Sequence, residues 1–194
     1  MIETSVIICS HNPREDYFAR CVQALREQDA DLDSWELILI DNASDCPLAG
    51  QVDLTWHPHS KIMREEELGI APARIRGMGA ARADTILFVD DDNVLASDYL
   101  RLGQELGRAH PDFGCWGGQL LAEFEERPPE WSRQWWPYLA IRTLDTALVA
   151  KGPTDYPAIP PTAGEFIRRC VWEKYLALIR EDPRHLWLGL RGNQ

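Results

Sequence analysis

The chain is short of several things, and each shortage excludes something. No two of its five cysteines, Cys9, Cys21, Cys46, Cys115 and Cys170, are spaced as C-x-x-C, and five is an odd number. That pattern argues against structural zinc and a disulfide framework, and for a reducing compartment. No run approaches the ~20 apolar residues that cross a bilayer, and the N-terminus lacks a basic stretch leading into an apolar one. The expectation is an intracellular protein. Basic residues are outnumbered, 20 Lys and Arg against 31 Asp and Glu, for a net charge of -11. A protein held to nucleic acid by phosphate contacts would show the opposite balance. There is no internal repeat and no low-complexity tract. No glycine-rich turn follows the first apolar run, so a dinucleotide-binding Rossmann fingerprint is excluded as well.

What remains is a chain of 194 residues, 45% apolar, enough for one sizeable core. Its organising stretch is Ile86-Leu87-Phe88-Val89-Asp90-Asp91-Asp92, where four apolar residues run into three carboxylates. The apolar part reads as a buried strand and the acidic part as its exit into a polar crevice. Side chains alternate along a strand, so Asp90 and Asp92 can face one side and share a cation. Two such charges about 5 Å apart repel by roughly 3 kcal/mol at an effective dielectric of ~20. Mg²⁺ or Mn²⁺ suits such oxygens, filling its shell with water and phosphates. A solvated acidic turn is the plainer alternative.

Upstream, Ser5 to Cys9 reads as a first buried strand. Asn12 is placed to cap a helix with Pro13 at its first position and Glu15 at its third, running to about Gln28 with Phe18, Cys21, Val22 and Leu25 inward. Trp35 to Ile40 is a second strand that also ends in a carboxylate, Asp41, followed by the turn-forming Asn42-Ala43-Ser44-Asp45. Ligands of open α/β sheets bind beyond the carboxyl ends of the strands, where Asp41 and Asp90 would both lie. Val52 to Trp56 reads as a short third strand.

Leu68 to Arg82 reads as a helix rich in small residues, with Pro72 in its first turn. Arg74 on it either reaches a phosphate or is a surface charge. A helix capped by Ser97-Asp98 runs to about Arg108 with Tyr99, Leu102 and Leu106 on one face. Phe113 to Gly118 suggests another strand, passing into Leu120 to Phe124. The aromatic group Trp131, Trp135, Trp136 and Tyr138 is expected in the core, a sugar-stacking floor being the alternative. Residues 152–161 form a proline-rich irregular loop. Gly164 to Arg168 and Val171 to Ile179 read as a last strand and helix.

Together these pieces resemble the family 2 glycosyltransferases of the GT-A fold. The resemblance is carried by Val6 to Asn12, Leu39 to Asp45, the Gly69 to Gly77 segment with Ala73-Arg74, and Phe88 to Asp92, in the family's order over the first hundred residues. It implies an α/β fold, Rossmann-like, with a mostly parallel sheet and helices on both faces. Residues 1–118 would bind the nucleotide sugar, and 119–194 would be a partial acceptor-binding part of the same globular unit. Ser10, Asn12, Asp41, Arg74, Asp90 and Asp91 would bind the nucleotide, Asp41 accepting from the base and Asp90 approaching the ribose. Asp92, with Asp90, would hold Mg²⁺ or Mn²⁺ against the diphosphate. The implied reaction is inverting sugar transfer from a nucleotide-diphosphate sugar, most often a UDP-sugar, to a glycan or lipid-linked acceptor at the inner face of a membrane.

The departure is the catalytic base. The family sets it in an acidic pair beyond a Gly- and Asn-containing stretch, and Leu188 to Gln194 looks like the approach to that pair. Glu181-Asp182 is the late acidic pair present, ahead of Pro183, and Glu165 is a further weak candidate. The expectation is a chain that keeps the donor site and lacks part of the acceptor site. Its rival is a non-catalytic module that binds nucleotide and metal. A sugar-nucleotide pyrophosphorylase would need a Gly-rich, Arg-containing N-terminal loop, and an aspartyl phosphatase paired aspartates after the first strand. This sequence has neither.

Overall fold

A computed structural model describes residues 1–182, apart from 142–143, 151, 153–154 and 156–157. The expected approach to the base, Leu188 to Gln194, lies outside the described residues. In chain order the elements are β1 (Thr4–Ser10), α1 (Glu15–Arg26), β2 (Trp35–Asn42), β3 (Ser60–Glu65), α2 (Ile70–Ala80), β4 (Thr85–Asp90), α3 (Tyr99–Ala109), β5 (Cys115–Gly117), β6 (Glu165–Arg168) and α4 (Arg169–Glu181).

The strands form one sheet in the order β3-β2-β1-β4-β6-β5. β3, β2, β1 and β4 are mutually parallel, while β6 runs antiparallel to both β4 and β5. β1 and β2 are apolar on both sides because helices cover both faces. On one face Val6, Ile8, Leu37, Leu39, Leu87 and Val89 meet Phe18, Cys21 and Leu25 of α1 and Leu100 of α3. On the other Ile7, Ile38, Ile40, Ile86 and Phe88 meet Ala73 and Met78 of α2 and Trp172 of α4. Each large aliphatic side chain so buried contributes about 1.5–3 kcal/mol. The fold class read from the sequence is thus the observed one, and β6, from the second half of the chain, fills the sheet between β4 and β5.

Small residues let α2 lie close on β1. A Cβ built on Gly77 would stand 2.6 Å from Ile7 Cγ2. α3 does the same on the other face, although of the three residues expected inward only Tyr99 packs against the core. Leu102 and Leu106 are exposed, and Leu100, Gly103, Gln104 and Gly107 face inward. The rings of Phe166 and Trp116 stack 5.5 Å apart and take the space above Gly103 and Gly107. Bulk arriving from the sheet therefore selects the helix face that lacks bulk.

Four further expectations are corrected. Asn12 does not cap α1: the helix begins at Glu15 after Arg14, because Asn12 takes a positive φ of 46° and bonds across to the loop after β2. Val52 to Trp56 is not a strand. Asp53 turns the chain there by accepting from Thr55 N and Oγ1, at 2.9 and 2.6 Å, and Ser60 to Glu65 takes the strand position beside β2. The segment Leu120 to Phe124 is irregular. The aromatic group is not core: Trp131, Trp135 and Tyr138 are 68%, 54% and 81% exposed on a 3₁₀ helix, Glu130–Leu139, outside the sheet layers.

Candidate functional site

The carboxyl ends of β1, β2 and β4 lie side by side, with Ser10 in register with Asp41 and Cys9 with Asp90. The loops leaving them are stitched together. Asn12 N donates to Ser44 Oγ at 3.0 Å, and Asn12 and Asp45 exchange two bonds at 3.1 and 2.9 Å. His11 Nδ1 bonds Asn42 O at 2.8 Å. Asn42, which composition marks only as a turn residue, is buried at the end of β2 and holds the next two elements. Its amide donates to Glu65 O and Glu67 O and accepts from Gly69 N at 2.8 Å, fixing the exit of β3 and the entry to α2. Sequence reasoning missed this role, for which a polar residue at a strand end was the available signal.

Asp41 sits at this edge as expected, but both its oxygens are used within the protein. Oδ1 accepts from Ser44 N at 3.0 Å, and Oδ2 from Leu48 N at 3.1 Å and Arg64 at 2.9 Å. Burial would raise its pKa, yet these bonds prevail and hold it below the usual carboxylate value. Arg64 was not singled out in the sequence, and nothing in its neighbourhood marks it there.

The acidic run divides. β4 ends at Asp90, and Asp91-Asp92 enter a turn closed by Asn93 N donating to Asp90 O at 3.1 Å, so strand alternation stops before Asp92. Asp90 faces α2, where Arg74 Nη2 lies 3.6 Å from its Oδ1. Asp91 turns to the opposite side and accepts from the Ser10 hydroxyl. Asp92 is exposed and accepts from Asn93 Nδ2 at 3.1 Å. Burial, foremost, together with the neighbouring carboxylates raises the pKa of Asp90 against the opposing charge of Arg74. Asp91 is raised first by burial and then by Asp92, against its bond from Ser10. Burial also pushes the nearby Cys9 and Cys21 thiols up to about 12, so neither is a nucleophile. Among the described residues no group of three or more His, Cys, Asp and Glu forms a ready-made metal site.

Arg74 is the unusual cation of this edge. Its side chain is only 24% exposed, and its guanidinium lies over the Phe88 ring, 5.1 Å from the centroid. Among the described residues it makes no hydrogen bond, so five N–H donors stand beside the acidic run without an acceptor. Glu165 opens β6 directly across from Phe88 and so shares its face. Glu181 is exposed at the end of α4, and Asp182 is that helix's C-cap, its N–H bonding Leu178 O at 2.9 Å.

Residues 5–159 match the family described as Glycosyl transferase family 2. The chain belongs to that family. It is 29% identical over 124 residues to EpsH of Bacillus subtilis (strain 168), which carries a glycosyltransferase name; the match covers 63% of this chain and 35% of EpsH. The fold is shared with TarS of S. aureus: residues 1–349 of that protein superpose with a TM-score of 0.62 at 19% identity, covering 90% of this chain and 49% of that fragment. Other TarS crystals hold UDP and UDP-GlcNAc. A mannosyltransferase of Pyrobaculum calidifontis, in complex with GDP-Man and Mn²⁺, superposes with a TM-score of 0.52 at 24% identity, covering 58% of this chain and 34% of that one. The chain thus spans about a third of EpsH and half or less of these solved relatives. Among the described residues no helix is long and apolar enough to cross a membrane.

Proposed function

We propose that this glycosyltransferase-family chain binds a nucleoside-diphosphate sugar along the β2-β1-β4 edge and belongs to an enzyme that transfers the sugar to an acceptor hydroxyl with inversion. The observation that carries this is Arg74: a guanidinium three-quarters buried, without a hydrogen bond among the described residues, 3.6 Å from the carboxylate of Asp90 at a strand exit. A diphosphate is the acceptor that five aligned donors suit. Asp41 acts on the base side by fixing the loop from Asn42 to Leu48, and Ser10, Asn12, Asp90 and Asp91 line the ribose side.

The acidic run also fits a hard divalent cation. Asp90 and Asp91 carry charge at a desolvation cost that a cation offsets, and Asp92 offers exposed oxygen. Mg²⁺ and Mn²⁺ are commonly held by one or two carboxylates plus substrate phosphates, so a closed protein cage is not required. When bound, the ion would offset charge building on the leaving diphosphate. The chain's own residues orient the diphosphate through Arg74 and keep that edge partly desolvated, where such interactions are stronger than in water. The acceptor would be a glycan or a lipid-linked glycan, and the enzyme cytoplasmic at the inner face of a membrane. The base that deprotonates the acceptor hydroxyl is sought first at Glu181-Asp182.

The test is calorimetric titration of UDP, GDP and dTDP into the chain with and without Mn²⁺. Metal-dependent binding of one nucleotide is expected. No binding of any would overturn the donor-site reading. Binding without sugar release to water or acceptor would instead mean donor binding without turnover.

A further inference from the structure

Across the sheet, the carboxyl edge runs from β2 through β1 and β4 to β6. Neighbouring strands lie about 4.8 Å apart, so Asp41 at one end and Glu165 at the other are separated by three spacings, roughly 14 Å. That is the reach of an extended nucleoside-diphosphate sugar. With the base over β2 and the diphosphate at Arg74 over β4, the next group along the edge is the sugar, and the next strand is β6.

Glu165 is built into that place. Gly164 ahead of it takes a φ of +86°, donates from its N–H to Phe88 O at 2.9 Å and accepts from the Tyr99 hydroxyl through its carbonyl. A Cβ on Gly164 would stand 2.9 Å from that hydroxyl, so the turn and the direction of Glu165 are fixed together. Its partner across the ladder is Phe88, with Cβ atoms about 5 Å apart. Phe88 carries Arg74 over its ring, and Asp90, two residues along, lies on the same face. The carboxyl of Glu165 is half-buried; burial raises its pKa most, while a hydrogen bond with Cys115 and the charge of Arg74 draw it down. A carboxylate has acceptor capacity beyond one thiol, and vicinal sugar hydroxyls are the donors that suit it.

We propose that Glu165 is a specificity-determining residue that accepts hydrogen bonds from hydroxyl groups of the donor sugar, a hexose joined to the diphosphate held at Arg74. This rests on the donor-site reading above. Glu165 then contributes to holding the sugar and nothing to holding the nucleotide.

The experiment compares UDP with UDP-glucose, UDP-galactose and UDP-GlcNAc by calorimetry in Mn²⁺, for the wild type, Glu165→Ala and Glu165→Gln, with a thermal melt of each. In the wild type one sugar nucleotide should bind more tightly than UDP. Glu165→Ala should weaken that ligand at least tenfold, as loss of a hydrogen bond to a charged group does, and leave UDP within twofold. Glu165→Gln, which keeps the volume and one acceptor, should melt like the wild type and lose an intermediate amount. Equal weakening of UDP and the sugar nucleotide in the well-folded Gln variant overturns the proposal, since Glu165 would then act through Arg74 or the fold. So does a wild type to which no sugar adds affinity, or a preference that both variants retain. If GDP or dTDP is the nucleotide bound, its sugar nucleotides replace those of UDP; absence of binding of all three to the wild type is a different failure, which removes the donor site and this assignment with it.

Discussion

At the scale of single residues, the site is governed by how charge is neutralised. Asp41 and Glu36 show one solution, in which each buried carboxylate is surrounded by donors. Glu36 accepts from Ser5 Oγ at 2.7 Å and from Arg82 N and Nε at 2.6 and 2.9 Å, with Lys61 at 3.5 Å. Asp90 and Arg74 show the other, a pair 3.6 Å apart whose side-chain hydrogen-bonding capacity is left open among the described residues. Saturated groups build structure, and open ones keep donors and acceptors that a ligand could fill. Replacing Arg74 by Ala should therefore weaken UDP binding by about ten- to a hundredfold, the range for hydrogen bonds to a charged group, without lowering the melting temperature as loss of Glu36 would. Asp92→Asn should act differently, leaving metal-free binding unchanged while abolishing the gain from Mn²⁺. Calorimetry with and without the ion separates the two.

At the scale of elements, much of the sheet was legible because buried parallel strands read as apolar runs of four to six residues. β1, β2 and β4 are of this kind, and both acidic exits, Asp41 and Asp90, could be placed on one edge before any coordinate. Elements whose position depends on distant partners were not legible. Asn12 resembles a helix cap until Ser44 and Asp45 arrive from 32 and 33 residues away. β3 is a half-buried edge strand, Ser60–Glu65, with no apolar run to mark it, while the more apolar Val52 to Trp56 turns. For α3, hydrophobic periodicity pointed to Leu102 and Leu106, and the sheet's two stacked rings chose Gly103 and Gly107 instead. That packing predicts opposite effects for one substitution at two helical glycines. Gly79→Ala in α2 meets no atom within 4 Å and should stabilise by ~0.5–1 kcal/mol through helix propensity. At Gly103 a Cβ would come within 2.0 Å of Phe166 Cζ, so Gly103→Ala should lose the propensity gain to overpacking and destabilise by about 1–2 kcal/mol. Urea unfolding of the two variants measures both signs.

For the whole molecule, the -11 net charge hides groups whose titrations oppose one another. His57 is 2% exposed, packed edge-on against Trp35 at 4.0 Å, and accepts through Nδ1 from His59 N at 3.1 Å. It is buried neutral, and burial, with a smaller effect of His59, lowers its pKa from 6.5 to about 4. As pH falls from 6.5 towards 4 the unfolded chain takes up a proton that the folded chain refuses, so stability present above 6.5 is lost across that window, by roughly 3 kcal/mol at most. Asp41 and Glu36, whose folded pKa values are lowered, add a further loss at lower pH as they protonate. Asp90, Asp91 and Glu165 have raised folded values and work the other way: protonating them in the folded state relieves their burial, so their contribution rises as pH drops through those values. His57 and Glu36 lie on the strand-entry side of the sheet, whereas Asp41, Asp90, Asp91 and Glu165 lie on the ligand edge. In the free chain, urea unfolding free energy should fall between pH 6.5 and 4, and His57→Gln should flatten that slope. With Mn²⁺ and UDP present the ligand edge is held ionised, so the added stability from ligand should itself shrink as pH falls through the raised carboxylate values. A ligand-induced rise in melting temperature that stays constant as pH falls through the raised values would mean that Asp90 and Asp91 are not charged partners of the bound metal and nucleotide.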